Sequence, residues 1–159
     1  MALLLLFLAL AVSVFSQSEK QADTVKPSAS PTLAAQENKV TVYFYRYKQY
    51  VGSALEPPVF CDDKMIAKMD NGRYFRAVVD PGKHTFQSND KQSGVELDLK
   101  NGEEYYIRIE IAAGFWKGHG RLVVVQKEQG AFEIKKLKPL QAKKIIDSSK
   151  AFTEDEPKP

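Results

Sequence analysis

A chain of 159 residues with 43% hydrophobic content can bury one core without staples, so a single domain is expected. Its net charge of +3 arises from well-mixed acidic and basic residues, which excludes the strong field that collects nucleic acid or anionic lipid. The one cysteine, Cys61, has no partner in the same chain for a disulfide.

The chain starts MALLLLFLALAVSVFSQSEK, apolar from Ala2 to Phe15. That run is short for a membrane-spanning helix, which needs ~20 residues. It fits the apolar region of a secretory signal, with Val14 and Ser16 placed for cleavage before Gln17. Residues 1–16 are therefore expected to be a signal peptide, and the protein to be exported, periplasmic or extracellular, with no transmembrane span after cleavage. No Lys or Arg precedes the apolar run, so an uncleaved N-terminal membrane anchor is the second reading. Residues 17–38, rich in Ser, Ala, Gln and Pro, lack a sustained apolar period and read as a flexible linker.

From residue 39 to 138 the pattern is that of short strands. KVTVYFYRY places Val40, Val42 and Phe44 on one face and Thr41, Tyr43 and Tyr45 on the other, which predicts a strand packed on both sides. PPVFCD and KMIAKM flank Asp62-Asp63 as a hairpin, and Asp70-Asn71-Gly72 supplies the next turn before RYFRAVV. In DPGK, Pro81 and Gly82 suit a type II turn, with HTFQS as the following strand. VELDL alternates cleanly, and Asn101-Gly102 is the strongest hairpin signal in the chain, leading into EEYYIRIEI. The glycine-rich GFWKGHG connects that strand to RLVVVQ. Seven or eight such strands predict a mainly β fold, an antiparallel β-sandwich or small barrel.

Beyond it, AFEIKKL and LQAKKIID, separated by Pro139, are expected to give one or two short helices. Residues 139–159 are expected to form a short helix and a polar, disordered tail. The five lysines between Ile134 and Lys144 read as a solvated face, not a nucleic-acid patch.

Several turns in order carry a family resemblance: Tyr45-Arg46, Val51-Gly52-Ser53, the hairpin at Asp62, Asn71-Gly72-x-Tyr74-Phe75, Pro81-Gly82-Lys83-His84, and Gly102 with Tyr105-Tyr106. This pattern resembles the bacterial domain of unknown function 2846, and more broadly the PEGA-type modules of envelope proteins. The resemblance implies a sandwich of the prealbumin or immunoglobulin-like kind in an exported bacterial protein, and implies no reaction. Similar members are often lipoproteins; this chain departs from them in lacking the lipid-accepting cysteine.

Candidate sites are of two kinds. GKHT lacks the upstream glycine and following helix of a phosphate loop. Cys61, His84 and His119 are the residues from which a metal site or a small hydrolase could be built, but no CxxC, HxxxH or HxH spacing joins them. No cofactor, metal or catalytic residue is therefore expected. The surface candidates are Tyr43, Tyr45, Arg46 and Tyr47 as an aromatic platform, although alternating tyrosines on a strand are more often ordinary sandwich packing, and Phe115 with Trp116, either as an exposed anchor in a mobile glycine-rich loop or, as readily, as a lid over the end of the sandwich. The expected function is noncatalytic binding of an envelope protein or glycan, with no nucleic-acid partner.

Overall fold

A computed structural model describes residues 38–90, 92–113 and 118–153. The expected signal peptide, the linker to residue 37, Phe115, Trp116 and residues 154–159 lie outside them. Eight strands run in order, β1 (Val40–Tyr45), β2 (Pro58–Cys61), β3 (Lys64–Lys68), β4 (Arg73–Val79), β5 (Gly82–Gln87), β6 (Val95–Leu99), β7 (Glu104–Ala112) and β8 (His119–Val125). Among the described residues, one α-helix, α1 (Lys127–Ile134), and two two-residue strands, β9 (Lys138–Pro139) and β10 (Ala151–Phe152), complete the fold. No helix among the described residues is long and apolar enough to cross a membrane.

The strands form two sheets, as expected for a mainly β sandwich. One has the order β10-β4-β1-β7-β8 with β9 also on β4, and the other β3-β2-β5-β6. Pairing is mostly antiparallel, but β1 lies parallel to β7, with Val42 opposite Tyr105 and Phe44 opposite Ile107. The alternation of β1 explains its central place. Val40, Val42 and Phe44 face the other sheet; Phe44 stacks on Phe75 of the neighbouring β4 at 5.1 Å and meets the edge of Phe86, on β5 of the opposing sheet, at 5.4 Å. Burying each such side chain contributes about 1.5–3 kcal/mol.

Two turns differ from their expected roles. The Pro81-Gly82 corner links β4 and β5, which belong to different sheets, so it carries the chain across the sandwich. Gly82, at φ +124, lies well beyond the type II value. Asn101-Gly102 is likewise a crossing from β6 to β7, not a hairpin. Only Gly102 has positive φ there, whereas the type I′ hairpin needs it at both central residues. Asp62 and Asp63 do both have positive φ, at 49° and 65°, and the β2–β3 hairpin forms as expected.

The C-terminal residues also differ. LQAKKIID gives only a single 3-10 turn, Ala142–Lys144, and the helix starts earlier, at Lys127. Residues 138–153 belong to the sandwich, where the expected domain ends at 138 and a helix and polar tail follow. Buried Leu140, Ala151 and Phe152 hold them there. β9 and β10 pair with the outer edge of β4, and Ile145 bridges to Ala67 on the edge strand β3. This segment therefore covers an edge of each sheet, which blocks pairing with other chains. At the β8 edge, Gly120 N–H donates to Asn89 Oδ1 at 2.6 Å and Leu122 N–H to Ser93 Oγ at 3.4 Å, so Asn89 and Ser93 occupy the start of that edge.

Candidate functional site

The face of β1 that carries Tyr43 and Tyr45, extended by Tyr47 just beyond the strand, is closed by α1. Ala131, Ile134 and Leu137 pack onto Tyr45, Tyr74, Tyr106 and Val125. Gly130 makes this approach possible, because a Cβ there would fall 2.4 Å from the Tyr106 side chain. The expected aromatic platform is thus an interior layer: Tyr45 is fully buried, and Tyr43 stacks on Tyr106 at 5.0 Å.

Within this layer Tyr45 donates to Glu133 Oε2 at 2.6 Å, Gln129 donates to Oε1 at 2.7 Å, and Arg108 reaches Oε2 at 3.3 Å. Arg108 also donates from Nε and Nη2 to Glu110 and lies over the Tyr47 ring at 5.4 Å. Burial works against the charge on Glu133, but the hydrogen bonds from Tyr45, Tyr47 and Gln129, with Arg108, hold its carboxyl at about 2. Burial, reinforced by Glu133, pushes the Tyr45 phenol far above its usual range. An ionised acceptor fully engaged by protonated donors under a helix is a structural lock, with no group left to exchange a proton.

Arg46, beside that layer, points the other way and is 1% exposed. Its guanidinium donates from Nη1 to the Leu55 carbonyl at 2.6 Å and from Nη2 to the Gly52 carbonyl at 2.7 Å. From the opposite side the Asn71 amide pairs with the Gln49 backbone, accepting from N–H at 2.9 Å and donating to C=O at 2.7 Å. Lys144 pairs with Glu56 at 2.5 Å at the end of the same loop. Between these anchors Gly52 turns the chain at φ +74, and Tyr50 and Val51 project to solvent, 96% and 80% exposed. Beside the loop lies a cleft of about 210 Å³ lined by Leu55, Glu56, Pro57, Asn89 and Ile111. The sequence pointed to Arg46 as a surface residue, and no local pattern marks it as a loop anchor.

The candidate metal and hydrolase residues are partly brought together. Pairing of Cys61 with Phe86 sets the β2–β3 hairpin beside His84. His84 Nδ1 is 2.8 Å from Asp62 Oδ2, and Cys61 Sγ is 3.5 Å from the same oxygen. His119 starts β8 in the other sheet and is not part of this group. Burial and the neighbouring Asp62 carboxylate push the Cys61 thiol up to about 12, which withholds the thiolate a nucleophile needs.

Comparison with known proteins gives the following. The family model described as "Protein of unknown function (DUF2846)" matches residues 36–121, from the approach to β1 to the start of β8. An uncharacterized protein of Haemophilus influenzae is 28% identical over 134 residues, covering 83% of this chain and 77% of its own. No solved structure matches.

Proposed function

Because this chain belongs to the DUF2846 family of proteins of unknown function, we propose that it is a noncatalytic interaction module of the bacterial envelope, docking through the Tyr50–Val51 tip. One observation carries this reading. A buried arginine and an asparagine side chain clamp both flanks of a loop whose apical residues are, among the described residues, the most exposed of the large hydrophobic side chains. Preorganisation of this kind lowers the ordering cost of binding, and an exposed aromatic tip is the usual form of an interface anchor. An aromatic ring beside an aliphatic Val51 suits an apolar pocket on a protein surface.

Export rests on the apolar run from Ala2 to Phe15 and the cleavage pattern before Gln17. The absence of catalysis rests on the buried, protonated Cys61 and on the closed Tyr45–Glu133 layer. Chemical crosslinking in whole cells, comparing the natural chain with Tyr50→Ser, tests the reading. Adducts lost in the variant support it; adducts unchanged in the variant, or turnover of a small substrate abolished by Cys61→Ala, would overturn it.

A further inference from the structure

Cys61 Sγ, Asp62 Oδ2 and His84 Nδ1 all lie within 4.8 Å of one another at the β2–β3 hairpin. The hydrogen-bond pattern around them is asymmetric. His84 Nε2 is 2.9 Å from the Asp80 carbonyl, which can only accept, so the hydrogen of a neutral ring sits on Nε2. Its Nδ1 lone pair then faces a carboxylate oxygen at 2.8 Å. Two acceptor atoms this close need a bridging hydrogen or a metal ion between them.

We propose that Cys61, Asp62 and His84 form a site for a single thiophilic divalent cation of the zinc class. Sulfur, imidazole nitrogen and carboxylate oxygen are the donor set that such ions take, with a fourth position open to water or a partner's ligand. The groups behind the ligands are also those of a metal centre. The Asp80 carbonyl fixes the ring of His84 through Nε2–H, and Thr85 N–H donates to Asp62 Oδ1 at 3.1 Å, orienting the carboxylate. Asp62 is 40% exposed in its side chain and opens the site to solvent, while buried Cys61 forms its floor.

Binding exchanges the metal for the thiol proton of Cys61 and for any proton on His84 Nδ1, both released to water, with no change of oxidation state. Lys150 Nζ also lies 3.8 Å from Asp62 Oδ2, and its partly exposed side chain can move aside when the metal enters. None of these residues belongs to the Tyr50–Val51 tip, so failure of this site leaves the docking reading intact.

The test is titration of the purified, reduced protein with cobalt(II). A thiolate-to-cobalt charge-transfer band that saturates near about one equivalent, and that zinc bleaches, is expected. His119→Gln should keep the band, His84→Gln should weaken cobalt affinity about tenfold or more, and Cys61→Ser should lose the band. Absence of the band in the wild-type titration overturns the assignment without reference to any variant's folding. A band that survives Cys61→Ser, or that disappears in His119→Gln, overturns it as well.

Discussion

The Tyr45 phenol donates to the Glu133 carboxylate across 2.6 Å, joining the central strand β1 to α1 over a sequence separation of 88. Replacement by phenylalanine keeps the ring and deletes the donor, leaving a buried carboxylate short of one partner. Tyr45→Phe should lower unfolding free energy by about 1–3 kcal/mol in urea titration. A change below about 0.5 kcal/mol would show that α1 is held by apolar packing alone.

Stability should fall in acid through Glu133. Its carboxyl is lowered from 4.5 to about 2 in the folded protein, so the folded state favours the ionised form. The resulting stability is fully present above about pH 4.5 and is lost as pH falls toward about 2. Denaturant titrations across that window should show a steeper decline for the natural chain than for Glu133→Gln. Parallel declines would assign the acid sensitivity to other carboxylates.

Gly130→Ala separates two opposing effects. Helix propensity alone predicts a gain of about 0.8–1 kcal/mol. The added Cβ would instead meet Tyr106 at 2.4 Å and lift α1 from the tyrosine layer, and overpacking of this kind costs about 1–3 kcal/mol. A lowered thermal midpoint is expected, and a raised one would mean that α1 packs more loosely on β7.

The strands were legible in the sequence because their apolar alternation is local. VTVYFY announces two packed faces, and both are packed. Sheet membership was not legible, since Pro81-Gly82 and Asn101-Gly102 mark the turns without saying which sheet receives the next strand. The Asp62–His84 contact spans a separation of 22 and depends on the β2–β5 pairing. Arg46 and Asn71 read as strand and turn residues because their task, holding backbone carbonyls and amides of one loop, has no local pattern. The helical start at Lys127 was hidden by Gly130, a poor helix former that Tyr106 requires.

The loop clamp predicts a specific proteolytic phenotype. A lysine at position 46 has one compact charge in place of the planar fork that reaches both Gly52 and Leu55. Arg46→Lys should speed chymotryptic cleavage after Tyr50 about tenfold, corresponding to ~1.4 kcal/mol of local opening free energy. Asn71→Ala should act in the same direction. Unchanged cleavage in both variants would mean that the loop is fixed by other contacts.

Photocrosslinking from position 50 in living cells of the native host tests the docking claim most directly, with position 132 as the control because Phe132 is also exposed, on α1. A discrete protein adduct is expected from position 50, none from position 132, and loss of the position-50 adduct when Arg46→Lys loosens the loop. Equal adducts from both positions, or a position-50 adduct unaffected by Arg46→Lys, would contradict the docking claim.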